Sequence, residues 1–327
     1  MTQLKNMDSA DGFPEELIDE TAVVSPTSGG RRFDQVAAEL FADYSRSRLQ
    51  QWIKQGQLVI DGQQQTPKYK LQGGEVLHLK ARLELETEWQ AEAIGLDVVF
   101  EDEDILVINK PTNFVVHPGA GNRSGTLLNG LLHYCPTLAG VPRAGIVHRL
   151  DKDTTGLMVV AKTLKAQTDL VSQLQARTVG REYEAVVCGI VTVGGSVDQP
   201  IGRHRTQRTK MAVISDGKDA RTHYRVLQRF SAHSYLRLKL ESGRTHQIRV
   251  HMAHIRHPIV GDVNYGGGMR IHKGASVELR EQLIGFERQA LHARALSLLH
   301  PSSGEPMSWS TDLPTDMQCL LKSLENG

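Results

Sequence analysis

The chain has 327 residues, enough for two domains at roughly 150 residues each and for a core that needs no covalent staples. Hydrophobic residues make up 39%, and the 3 cysteines are widely spaced without a CxxC. This excludes a disulfide scaffold and a cysteine zinc module, and suits a reducing compartment. No apolar run approaches the roughly 20 residues of a membrane span, and the N-terminus lacks a basic–apolar–small signal pattern. A soluble cytoplasmic protein, monomeric and with no membrane association, is expected.

The net charge of +1 hides a segregation. Residues 1–30 carry a net −5, residues 83–109 a net −9, and residues 201–257 a net +10 together with seven of the 14 histidines. Such asymmetry points to a polyanionic partner or to a solvated surface that happens to be basic.

Residues 1–30 are acidic and rich in Ser, Thr, Gly and Pro without a sustained period, the pattern of a disordered acidic tail. Order is expected from Arg31. In SRSRLQQWIKQG, Ser45 can cap a helix, Leu49, Trp52 and Ile53 form its apolar stripe, and Gly56 can stop it. Arg46, Arg48 and Lys54 then face solvent. QLVIDGQ reads as a strand into an Asp61–Gly62 turn, and LQGGEVLHL as a turn and a second strand. Residues 31–82 thus form a small α/β module, and 83–92 an acidic linker.

A larger domain, 93–327, opens with two apolar runs in DVVFEDEDILVINKP. Further strands are expected at GLMVVAK, REYEAVVCGIV, HYRVLQRF and SYLRLKL, where Leu236, Leu238 and Leu240 alternate with charged residues. Helices are expected at LKAQTDLVSQLQAR and THQIRVHMAHIRH, the latter with Ile248, Met252 and Ile255 as its core stripe, ended by His257–Pro258. Hairpin-like pairs outnumber strand–helix alternations, which predicts an α+β domain with a mixed, mostly antiparallel sheet.

The densest polar cluster is GIVHRLDKDTTG, residues 145–156, a loop that feeds a strand. By itself it is also an ordinary Asp/Arg-rich turn. Arg244 in SGRTHQIRVH lies just ahead of a helix N-terminus, where an anion is favoured, either a phosphate or a buried Asp. NKPTNFVVHPG is another Lys/Pro/His/Gly turn, in which Lys110 is expected to close a pocket floor or a turn. The histidines 246, 251, 254 and 257 lack HExxH spacing and a neighbouring carboxylate, so no metal site is expected.

GIVHRLDKDTTGLMVVAK resembles the HRLD signature of the RluA-type pseudouridine synthases. INKPTNFVVHPG, REYEAVV, SGRTHQIRVHMAHIRHPIVGD and QALHARALSLLHP follow in that family's order, and residues 31–78 resemble the S4 RNA-binding module. The resemblance spans about residues 31–315. Two departures are Phe33, where S4 modules usually carry Leu, and Thr155, where many relatives have Ser.

The resemblance implies isomerisation of uridine to pseudouridine without cofactor or metal, in 23S rRNA or a large-subunit precursor. It makes Asp151 the essential carboxylate, Tyr183 the active-site tyrosine and Arg244 the matching arginine, paired with Asp151 to hold it charged and oriented. It places Arg149 as the residue that fills the vacancy left by a flipped base, with His148 beside it at the substrate. The carboxylate would stabilise or bond the sugar, attack C6 of the base, or assist removal of a 2′-proton. Arg31, Arg32, Arg46, Arg48 and Lys54 would contact RNA phosphates. The alternative is an RNA-binding or ribosome-assembly factor on the same fold, without catalysis.

Overall fold

The computed structural model describes residues 17–44, 46–82, 89–119, 122–207, 209–266, 271–272 and 274–327. The expected Ser45 cap lies outside them, as do residues 1–16 of the expected tail and residues 83–88 of the expected linker.

The N-terminal unit comprises β1 (Leu17–Val23), α1 (Phe33–Leu40), α2 (Arg46–Gln55), β2 (Leu58–Ile60) and β3 (Val76–Arg82). Its sheet has the order β1-β3-β2, antiparallel throughout. Order therefore begins before Arg31: seven residues assigned to the tail pair with β3, Leu17 opposite Arg82 and Val23 opposite Val76. β1 is an edge strand whose Asp19, Glu20 and Thr21 face solvent. Acidic edges of this kind protect against further pairing and conceal the strand from an apolar-run search. Asp61 and Gly62 both adopt positive φ (48° and 76°), the backbone a tight reversal after β2 requires. Phe33, Leu49, Trp52, Ile53, Leu58, Leu77 and Leu79 form the core, so the larger ring at position 33 is wholly interior.

The second unit carries β4 (Val98–Glu101), β5 (Ile105–Lys110), α3 (Leu127–Tyr134), β6 (Thr155–Ala161), α4 (Leu164–Gln175) and β7 (Gly180–Cys188). There follow β8 (Gly195–Asp198), β9 (Ile201–Arg203), β10 (Met211–Val213), β11 (Arg221–Arg229), β12 (His233–Leu240) and α5 (Gln247–His254). The unit closes with α6 (Val277–Gly285), β13 (Leu291–Leu299), β14 (Pro306–Ser310) and α7 (Thr315–Asn326). A nine-stranded sheet runs β4-β5-β6-β13-β7-β12-β11-β8, with β14 also on β13. Only the β6–β13 pairing is parallel. The fold is α+β with a mostly antiparallel sheet, and β9 and β10 form a separate hairpin.

Both faces of the sheet are covered. Along β5, Leu106 and Ile108 join one apolar cluster while Ile105 and Val107 join another on the opposite face, where α4 packs through Ala166 and Leu170. Double coverage explains why β6 is buried at every position and shows no polar alternation. The second half of the expected linker docks on this unit. Trp89 packs on its core, and Glu92 accepts the Gly125 N–H at 3.0 Å.

Candidate active site

The HRLD segment leaves a short left-handed turn and enters β6. Arg143 and Ala144 have φ of 55° and 49°, and Gly145 follows at 73°. A Cβ on Gly145 would come 1.8 Å from the Ala161 carbonyl oxygen, and one on Gly156 2.3 Å from that of Ala293. The loop is thus pinned at both ends by backbone contacts that only glycine allows.

Lys110, 1% exposed, ties this loop to the NKP turn. Its Nζ donates to the carbonyls of Pro111 (2.8 Å), Phe114 (2.9 Å) and Lys152 (2.8 Å). Burial pushes its pKa down to about 7, opposed by the carboxylates of Asp153 and Asp151. All three ammonium donors are used, which makes Lys110 a clamp beneath the loop.

On this base Asp151 projects toward a cavity of about 610 Å³. Its side chain is 15% exposed, and Oδ2 accepts from Arg249 Nη1 at 2.9 Å. Arg249, on α5, also donates from Nε and Nη2 to both oxygens of Asp262 (2.7 and 2.9 Å). Asp262 in turn accepts the backbone N–H groups of Asn264 and Tyr265. Burial works against the charge on Arg249, but Asp262 and Asp151 outweigh it and raise its pKa above the ordinary value.

The expected pair of Asp151 with Arg244 is therefore corrected to Asp151 with Arg249. Arg244 lines the same cavity, but its Nε donates to the Asp219 carbonyl at 3.1 Å. The helical period had reserved α5 for an apolar stripe, and Ile248 and Met252 do bury there. Arg249 sits on the neighbouring face, also buried at 5%. A rigid helix delivers the guanidinium more exactly than the loop carrying Arg244 would.

His246, the N-cap of α5 with φ of 57°, places Nε2 3.8 Å from Asp151 Oδ1. Its Nδ1 lies 2.7 Å from the Tyr265 hydroxyl, whose oxygen accepts the Met211 N–H at 2.8 Å. In the tautomer in which the phenol donates to Nδ1, the imidazole proton sits on Nε2, facing Asp151. Burial lowers the His246 pKa, opposed by Asp151. Arg249 stacks over the Tyr265 ring at 5.1 Å. His246 and Tyr265 were not singled out for the site from sequence.

Tyr183, on β7 and 6% exposed, lines the cavity, and burial raises its pKa. Arg149 is exposed at the rim. His148 lines the cavity, but its Nε2 accepts the Val159 N–H at 3.1 Å, which ties the loop to β6. Burial, helped by Arg181, pushes its pKa down to about 3. It is held neutral and braces the loop against β6 from the cavity wall. The other helical histidines take separate partners, His251 with Thr222 and the Gln199 carbonyl, His257 with the Cys188 carbonyl. Among the described residues no group of His, Cys, Asp or Glu is arranged to hold a metal.

The cavity wall carries Arg143, Arg149, Arg177, Arg181, Arg244 and Arg249 against Asp151 and Glu241, a strongly positive lining for an anionic ligand. In the N-terminal unit three of the five expected phosphate contacts pair with carboxylates. Arg31 pairs with Glu39, and Arg32 and Arg46 both bind the buried Asp34. Arg48 lies over the Trp52 ring at 5.9 Å, and Lys54 is exposed.

Comparison with known proteins places the chain among the pseudouridine synthases, with an S4 domain ahead of the catalytic one. An RNA pseudouridylate synthase model matches residues 104–254, and an S4 domain model residues 31–77. The chain is 56% identical over 305 residues to ribosomal large subunit pseudouridine synthase D of Vibrio parahaemolyticus, covering 93% of this chain and 94% of that protein. It is 57% identical over 309 residues to the Pseudomonas aeruginosa protein of the same name, with 94% and 97% covered. Human RNA pseudouridylate synthase domain containing 4 superposes with a TM-score of 0.55 at 26% identity, covering 70% of this chain and 93% of that one. The chain belongs to the RNA pseudouridylate synthase family.

Proposed function

We propose that this chain isomerises uridines of large-subunit (23S) rRNA, or of its precursor particle, to pseudouridine, with Asp151 as the catalytic carboxylate. The N1–C1′ bond breaks, the uracil turns, C5 bonds to C1′, and the proton released from C5 is balanced by one gained at N1. No redox partner is required. Glycosidic cleavage builds positive charge on the sugar, which an adjacent carboxylate stabilises. Arg249 holds Oδ2 of Asp151 at the cavity wall, with His246 Nε2 3.8 Å from Oδ1.

A target base inside folded RNA must leave its stack. Tyr183 supplies the aromatic face for the extruded uracil, and Arg149 at the rim occupies the gap. Arg244 serves the RNA as a cavity-wall cation instead of pairing with Asp151. The S4 domain adds affinity through Arg31, Arg32, Arg46, Arg48 and Lys54, three of them already oriented by carboxylates. Cys135, Cys188 and Cys319 form no disulfide, which suits a reducing cytoplasm.

The single observation that carries the reading is Asp151 held by a buried guanidinium at the wall of an arginine-lined cavity. A factor that only binds RNA has no use for that buried ion network, whose assembly is costly. Pseudouridine mapping of rRNA from cells whose only copy is Asp151→Asn tests it. Loss of the modification at the dependent sites is expected; normal levels would refute the role of Asp151.

A further inference from the structure

Three arginines of the described chain are buried beyond nine-tenths: Arg181, Arg249 and Arg288, at 6%, 5% and 8% exposure. Arg249 holds Asp262 and Asp151, and Arg288 holds Asp316. Arg181 holds no carboxylate, and its buried Nε has no hydrogen-bond partner. A buried, unpaired guanidinium is expensive and persists where a ligand completes it.

Its position says which ligand. Arg181 lies two residues before Tyr183 on β7, so both side chains leave the same face of the strand, and both line the cavity beside Asp151. The Ser242–Arg244 loop closes over it so tightly that a Cβ on Gly243 would sit 2.6 Å from Arg181 Nη1. That loop keeps the guanidinium in place without offering it an anion. Uracil and ribose carry no charge; the full negative charge that a nucleotide brings into such a cavity is its phosphodiester. Two non-bridging oxygens match the planar fork of an arginine.

We propose that Arg181 is the seat of a phosphodiester flanking the extruded uridine, an anion subsite built into the cavity wall and held open by Gly243. This rests on reading the cavity as the uridine site. The subsite locks the sugar relative to Asp151 after the base has left its stack, which gives the basic residue of REYEAVV a task separate from that of Tyr183.

A double-mutant cycle tests the contact in the full-length protein. The probe is a large-subunit rRNA stem-loop carrying the mapped uridine, with one linkage, 5′ or 3′ to it, replaced by a neutral methylphosphonate. Arg181→Met should weaken binding of the native probe at least tenfold and reduce the salt slope by about 1. At one of the two linkages the methylphosphonate should cost the wild type a similar factor, and Arg181→Met less than twofold more. Losses that multiply at both linkages, or native affinity in Arg181→Met, overturn the proposal.

If Arg181→Met does not fold, Gly243→Ala, which crowds the guanidinium without removing its charge, is put through the same cycle with the same criteria. Conversion is scored in parallel. A wild type that binds but forms no pseudouridine defeats the catalytic reading, while the salt slope still reports on Arg181.

Discussion

Two aspartates in this molecule are gripped by arginines, and they differ in what is left over. Asp34, in the S4 domain, is wholly buried and saturated. Oδ1 takes Arg32 Nε, while Oδ2 takes Arg32 Nη2, Arg46 and Gln50, with contacts between 2.6 and 3.1 Å. Asp151 takes one guanidinium bond, Arg249 Nη1 to Oδ2, and its Oδ1 lies 3.8 Å from His246 Nε2 at the wall of the cavity. The same residue types make a rivet in one place and, in the proposed function, a reagent in the other. The difference is an unspent acceptor beside a space that a nucleotide can enter.

Removing the grip should separate the two. Arg249→Met strips Asp151 of its guanidinium and leaves the buried Asp262 unpaired. A stability loss of about 3–5 kcal/mol is expected, with turnover down by about 10³-fold, read by calorimetry and single-turnover conversion. Arg244→Met should instead weaken RNA binding and leave the melting temperature alone. If the two substitutions exchanged these effects, the assignment of the Asp151 partner would be reversed.

Asp34→Asn is the matching experiment on the rivet. Burial raises the Asp34 pKa, but hydrogen bonds from Arg32, Arg46 and Gln50 outweigh it and bring it down to about 2, from 3.8. A carboxylate depressed in the folded state contributes stability above its unfolded pKa and loses it as pH falls through the folded value. The S4 domain should therefore lose about 2 kcal/mol between roughly pH 4 and pH 2. In Asp34→Asn that acid-dependent component should vanish, while conversion of saturating RNA at neutral pH is unchanged. An acid titration identical in the two proteins would contradict the assignment.

The smallest effect belongs to the hydroxyl of Tyr265. Tyr265→Phe removes the hydroxyl that holds the His246 ring beside Asp151. A fall of about three- to tenfold in turnover, with RNA affinity unchanged, is expected. An unchanged turnover would remove His246 from the account.

How far the sequence carried this picture follows from the same contrast. The reactive loop was legible because its polar residues are contiguous, between glycines 145 and 156, and match a family signature. Strands β4 to β7, β11 and β12 were legible from apolar runs and alternation, whereas β8, β13 and β14 were not expected. The guanidinium for Asp151 was not, because Arg249 lies 98 residues further on, inside a helix whose period marks it as polar surface. Nor was β1, whose outward acids read as tail until β3 supplies its partner. The S4 arginines read as outward-facing, since nothing local says that Asp34 is buried and gathers Arg32 and Arg46. Each of these misses depends on a partner far away in the sequence. Periodicity reports which side chains leave water, but not which charges accompany them.

The most direct test is single-turnover conversion of a large-subunit rRNA fragment by purified Asp151→Asn, with the affinity for the same fragment measured alongside. No detectable pseudouridine at wild-type affinity and melting temperature is the expected result. Conversion at the wild-type rate would show that the carboxylate of Asp151 is not the reagent.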